Sequence, residues 1–332
     1  MLKYIRILLL LLGLSGCLNP ADKVESYNFY YWKSKFHIGS AEQNYLDQLG
    51  TKKLYIRLFD VDQADNGFPQ PVGTLQGLDT GEIAQELIPV VYIANRSFNG
   101  LSMAEVDTLA KRVYTRIKHL FTQSGITSIP EIQIDCDWTP GTRLAYFAFL
   151  THLKTYSNAA VTCTLRLHQV KYRSDTGIPP VDKVYLMCYA TSSPLEKDPK
   201  NSILDLALLK DYLEEINTYP LQFDIALPLY SWAIVRNHLG EVRLINGVSA
   251  HDLETPSYQR LENGQYLVRE DVFLQGMYLN KGFHVKIESI SPDLLAQVQH
   301  YLQDHIQHGY NLVYFHLDEQ FLRRFAITEL KY

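Results

Sequence analysis

Cysteine is scarce in this chain and never clustered. The 332 residues hold four, Cys17, Cys136, Cys163 and Cys188, and none is spaced from another as zinc ligands are. A cysteine-built metal site is thereby excluded, and the last three each sit in an apolar run, which makes them small buried hydrophobes. An exported chain allows a disulfide among them, but spacing alone does not pair them. Positive charge is also short: 31 Lys and Arg face 36 Asp and Glu, with no basic cluster, so nucleic acid is not an expected partner. There is no phosphate loop, no GxSxG elbow and no HxH or HExxH spacing, so the sequence calls for no cofactor and no metal ion. Nor is any apolar run long enough to span a bilayer stably.

What stands at the start is an export pattern. Lys3 and Arg6 precede the short apolar run Ile7–Leu14, and Leu14-Ser15-Gly16-Cys17 follows. Cysteine directly after small residues resembles the bacterial lipobox, which implies a signal over 1–16, lipidation at Cys17 and a polar tether over 17–26. Leu18 after the cysteine fits transfer to the outer membrane, on its periplasmic or surface face, with the acyl chains as the membrane partner. Removing Lys3 and Arg6 from the 31 basic residues leaves 29 against 36 acidic ones, a mature charge near −7.

The rest of the chain alternates between two periods. Strand patterns occur at 26–32, 52–62, 88–94, 131–138, 160–169, 182–190, 222–232 and 311–318. Helical spacing occurs at 40–50, 102–125, 142–157, 202–217 and 291–308, with Ser102 and Glu105 forming a capping box and Gly125 a stop. Only 322–330 remains for a helix after the eighth strand. Alternation of this kind implies a parallel sheet with right-handed crossovers, and eight strands imply closure into a (β/α)8 TIM barrel over 27–332. An open doubly wound sheet is the alternative. Residues 233–290 are too long for a loop and carry strand patterns at EVRLINGV, QYLVRE and FHVKIESI, so a small α+β insertion after strand 7 is expected there.

Barrels of this type place their sites at the C-terminal strand ends. Asp60, Asp62, Asn95, Asp135, Asp137, His168, Tyr189, Tyr230, Trp232, His316 and Asp318 all fall there. Asp135 and Asp137 lie two apart in an apolar strand, on one face, where burial and mutual repulsion raise a proton affinity. Their functional role is acid–base or substrate-orienting chemistry; their structural role would be a network with Arg57, Arg166 or backbone groups. Glycoside hydrolysis needs two carboxyls about 5–9.5 Å apart, and Asp60, Asp62, Asp318 or Glu319 could supply the second. His168 and His316 are acid–base or metal-ligand candidates. Among 23 tyrosines and three tryptophans, Trp32, Trp138, Trp232 and Tyr230 could floor a sugar site.

These residues resemble the chitinase-like barrels of glycoside hydrolase family 18. The fourth strand of that family reads D-x-x-D-x-D-x-E, matched here at Asp135, Asp137 and Trp138. Its Met-x-Tyr-Asp on strand six is matched at Met187 and Tyr189, and its Pro-x-Tyr on strand seven at Pro228 and Tyr230. The resemblance implies the barrel, the insertion, a glycan partner and a cleft in which Asp137 orients the substrate amide and Tyr189 hydrogen-bonds it. Three positions depart from the pattern. Thr139 stands where the family has its catalytic glutamate, Ile132 where it has its first aspartate, and Ala190 where aspartate follows the tyrosine. A threonine hydroxyl is too weak an acid for that role. The expectations are therefore a glycosidase with a rearranged carboxylate pair, a glycan-binding protein without catalysis, or a metal-dependent hydrolase using Asp and His at the strand ends.

Overall fold

A computed structural model of the protein describes residues 23–331, apart from 65, 66, 80, 82 and 197–199. The export signal, Cys17 and most of the tether lie outside the described residues.

Eight parallel strands form the barrel: β1 (Val24–Tyr31), β2 (Lys53–Gln63), β3 (Glu86–Ile93), β4 (Glu131–Asp135), β5 (Ala160–Arg166), β6 (Lys183–Met187), β7 (Phe223–Pro228) and β8 (Tyr310–Phe315). Each pairs with its successor, β8 pairs with β1, and the β1–β2 pairing closes the ring. The fold is the expected (β/α)8 barrel, not an open sheet.

Alternation along each strand decides what faces the axis. In β4, Ile132 and Ile134 pack outward into the main core beneath the helices, while Glu131, Gln133 and Asp135 point inward. Barrel interiors are ordinarily filled by branched aliphatic residues. Here tyrosines take that place: the Tyr55 and Tyr185 hydroxyls meet across the barrel at 2.6 Å. The Tyr185 hydroxyl also donates to Glu131 Oε1 at 2.7 Å. Glu131 further accepts from Thr162 Oγ1 at 2.9 Å and from Lys53 Nζ at 3.1 Å. A buried carboxylate is tolerated when its oxygens are satisfied in this way.

The outer helices lie at Ser40–Leu49, Met103–Gln123, Arg143–Tyr156, Leu206–Tyr212 and Pro292–His305. Ser102 and Glu105 make the reciprocal cap read from the sequence, with Ser102 N donating to the Glu105 carboxylate at 2.8 Å. Several elements differ from their sequence patterns. Between β2 and β3 the chain returns as the antiparallel strand Pro69–Val72 on the flank of β2, and no helix occurs among the described residues there. The helix expected at 202–217 is confined to 206–212, because Asp205 caps it through Leu208 N at 2.9 Å and Ser202 is bonded instead to Glu288. β5 stops at Arg166, so His168 sits in the short helix Leu167–Lys171 and not on a strand. β7 stops at Pro228. Trp232 belongs to the next strand, Ser231–Arg236, which starts a separate sheet. Two short helices, Glu319–Leu322 and Ile327–Leu330, follow β8.

That second sheet has five antiparallel strands, in the order Val242–Asn246, Ser231–Arg236, His284–Ser289, Tyr266–Val268 and Tyr258–Arg260. With the hairpin Val272–Leu274/Met277–Leu279 and the 3-10 turn Ala250–Leu253, it forms a unit with its own apolar centre around Val235, Val268 and Val285. Buried Glu288 ties it to the barrel. Its carboxylate accepts from Ser202 N at 3.1 Å, Trp232 Nε1 at 2.9 Å and Lys286 Nζ at 2.7 Å. Burial works to raise this carboxyl, but the bonds from Lys286, Ser202 and Trp232 outweigh it and hold Glu288 below the usual range.

Candidate active site

The C-terminal strand ends surround a cleft of about 280 Å³. Trp32 and Tyr30 enter it from β1, Arg57 and Asp60 from β2, Tyr92 from β3, Asp135 from β4, Thr164 from β5, Met187 and Tyr189 from β6, and Phe315 from β8. The Phe315 ring stacks on Tyr189 at 5.6 Å and leans on Trp32 at 5.5 Å, so one aromatic surface runs across three strand ends.

Two carboxyls share this cleft, in unlike surroundings. Asp135 is 9% exposed and accepts from Thr164 Oγ1 at 2.6 Å. Burial, reinforced by the nearby charge of Asp137, pushes its carboxyl up to about 7, with the Thr164 bond and Arg166 pulling the other way. Asp60 is held by Arg57 in a two-pronged pair, with Nε donating to Oδ1 at 2.6 Å and the second guanidinium nitrogen to Oδ2. The Arg57 guanidinium also lies 5.9 Å from the centre of the Trp32 ring. Gln133, fully buried, lies one inward position below Asp135 on β4.

The aspartates of the fourth strand do not act as a same-face pair. β4 ends at Asp135, and Asp137 lies past it with its side chain 50% exposed, ion-paired to Arg166 at 3.0 Å. Other expected site residues also fall elsewhere. Trp138 is core: its ring stacks on Tyr146 at 5.2 Å and its Nε1 donates to Thr176 O at 2.9 Å. His168 is exposed, outside the cleft. Tyr230 and Trp232 stand behind the aromatic wall, with Tyr230 edge-on to Tyr189 at 6.2 Å and 5.3 Å from Trp232. His316 is half-buried, its ring edge-on to Phe321 at 5.1 Å, and loss of solvent around it brings its imidazole down to about 4 despite Asp318 nearby. Asp318 caps the helix Glu319–Leu322 through Gln320 N at 2.9 Å. Asp62 lies at the exposed end of β2, paired with Arg96, whose hydrogen bond holds it below the usual carboxylate range. Thr139 is an exposed turn residue whose N–H donates to Thr142 Oγ1 at 3.1 Å.

Trp32, Asp60, Asp135, Met187 and Tyr189 are thus the expected residues that the structure brings together. Sequence reading missed Tyr30, Tyr92, Thr164 and Phe315 as cleft residues, and took Arg57 only as a partner for the aspartates. Among the described residues, no group of three or more His, Cys, Asp or Glu is arranged to hold a metal ion. Cys136, Cys163 and Cys188 are buried and unpaired, with burial raising Cys163 to about 12.

No family model and no curated protein sequence matches the chain. Solved structures do. The spore cortex-lytic enzyme SleL of Bacillus cereus superposes with a TM-score of 0.56 at 16% identity, over 93% of this chain and 75% of its own. A chitinase from Chromobacterium violaceum gives 0.56 at 11% identity, over 92% and 98%. A mutant of catalytic domain 2 of the Ostrinia furnacalis Group II chitinase, in complex with (NAG)5, gives 0.52 at 8% identity, over 93% and 95%. At these identities the likeness is one of fold, the (β/α)8 barrel that these solved structures share with this chain.

Proposed function

We propose that this protein handles carbohydrate at the mouth of its barrel and hydrolyses a glycosidic bond there, with Asp135 as proton donor and Asp60 as the second carboxyl. The observation that carries this reading is Asp135. A carboxyl that keeps its proton to about pH 7, in a cleft walled by aromatic rings, has the property a general acid needs near neutrality. In the reaction Asp135 gives its proton to the glycosidic oxygen, water attacks the anomeric carbon, and Asp60 takes the proton that water releases. Asp60 can do so while paired with Arg57, because a carboxylate has about four lone-pair sites and the guanidinium occupies two.

The (NAG)5 bound to the Ostrinia furnacalis domain and the cortex-lytic name of SleL support a glycan as the partner. Thr139, where related barrels have a glutamate, favours a second reading, a glycan receptor that breaks no bond. An envelope location through a lipidated Cys17 belongs to the same proposal, supported by Lys3, Arg6 and Leu14-Ser15-Gly16-Cys17.

The test is the full chain in detergent against its Asp135→Asn and Asp60→Asn variants, with N-acetylglucosamine and glucose oligomers and peptidoglycan. Products are followed by mass spectrometry and binding by calorimetry. Cleavage lost in both variants supports hydrolysis. Binding without cleavage leaves the receptor, and no binding removes both readings. Acyl labelling lost in Cys17→Ser checks the anchor.

A further inference from the structure

The cleft is a well on the barrel axis and not a groove across the mouth. Its lining comes from the ends of seven of the eight strands. A groove for a polymer would be bounded along two opposite sides and left open at both ends.

The rim bears this out. On the β1–β2 side, the segment after Pro69–Val72 is stitched over the strand ends: Leu75 N donates to Leu58 O at 2.9 Å, Gln76 N to Ser34 O at 3.0 Å, and Phe36 N to Gln76 O at 2.8 Å. Gly73 in this segment has φ +58°, and a Cβ there would stand 3.1 Å from both the Arg57 guanidinium and the Asp60 carboxylate. The segment therefore presses directly on the charged pair. On the opposite side, Tyr230 backs Tyr189 and Phe315, and Trp232 behind it is fixed by its bond to buried Glu288. The remaining flank carries the exposed Asp137–Arg166 pair. A volume of about 280 Å³ lies just below the ~300–1,000 Å³ of sites that enclose drug-sized ligands. It suits one pyranose ring and not a run of them.

We propose that the cleft takes the terminal sugar of a glycan end-on, with the rest of the chain leaving past Asp137 and Arg166, so that each turnover would release a single residue from a chain end. This rests on the carbohydrate reading above and narrows it to chain ends. One water is added across one glycosidic bond per monosaccharide freed.

The test is calorimetry on the full chain in detergent with N-acetylglucosamine and with glucose, each from monomer to pentamer, together with time-resolved products from pentamers labelled at the reducing end. The expected result is affinity that changes less than threefold beyond the disaccharide and products that shorten one residue at a time. Affinity that climbs tenfold or more from trimer to pentamer, or early internal cleavage products, overturns the end-on well and leaves glycan handling standing. Failure of every oligomer to bind removes the carbohydrate reading and this inference with it.

Discussion

Asp137 stands two residues beyond Asp135 and raises its proton affinity without sharing its cleft. Asp135 is buried on a hydroxyl 2.6 Å away, while Asp137 is half exposed and held 3.0 Å from Arg166. The two neighbours therefore push Asp135 in opposite directions. Asp137→Asn is expected to lower the Asp135 titration midpoint and Arg166→Met to raise it, read by carbon NMR of labelled aspartate. Both variants should change stability by less than about 1 kcal/mol, since the exposed pair is screened by solvent. Equal shifts of one sign would contradict this arrangement.

Stability should carry the same signature. The folded chain binds the Asp135 proton up to about pH 7, whereas an unfolded aspartate releases it near 3.9. Between these values the folded state holds more protons, so this group makes stability fall as pH rises. His316 works in the other direction. Its folded value of about 4 lies below the ordinary imidazole, so its contribution is lost as pH falls through the window from about 6.5 to 4. Asp135→Asn removes the first slope. The variant should be more stable than the parent at pH 8, by up to about 4 kcal/mol, with the gap closing by pH 4 in urea titrations.

Trp32→Ala removes a ring that both lines the cleft and underlies Arg57. A lost aromatic face of about 2 kcal/mol corresponds to roughly thirtyfold weaker glycan binding. Trp138→Phe should leave binding unchanged and lower stability, because that ring packs on Tyr146 in the core. Calorimetry and thermal unfolding separate the two.

How far the site was legible follows from strand period. The charged candidates Asp60 and Asp135 and the rings Trp32 and Tyr189 stood out by residue type at strand ends. Tyr30, Tyr92, Thr164 and Phe315 did not, although a period of two places Tyr30 with Trp32 and Phe315 with Val313. Reading which face each strand turns inward, and not only which residues end it, was the signal that would have found them. Trp138 misled for the same reason, because the ladder stops at Asp135 and the chain then turns toward the helix Arg143–Tyr156. Trp232 was beyond such reasoning: nothing local marks where the chain leaves β7 for the second sheet. The barrel itself was legible because its apolar strands and capped helices repeat regularly, while the connection between β2 and β3, where no helix occurs among the described residues, is a polar stretch with no period.

Tyr185→Phe tests the polar interior. It deletes the bonds to Tyr55 and Glu131 together and leaves Glu131 Oε1 with Thr162 alone. A loss of about 2 kcal/mol is expected, measured by urea unfolding. Glu288→Ala should cost a similar amount, about 2–3 kcal/mol, by stranding Trp232 and Ser202. It should also shift the fluorescence of Trp232, a change that Tyr185→Phe should not produce.

The strand Pro69–Val72 pairs with β2 on one side only, and Pro69 and Pro71 have no N–H to donate. A strand that pairs on one side and has proline at every second position leaves its free edge short of donors. The ring of eight strands has no edge of its own, so the added strand is where another molecule's strand would join the barrel sheet. The two prolines deny it that foothold, so an approaching strand finds few donors to pair with along this edge.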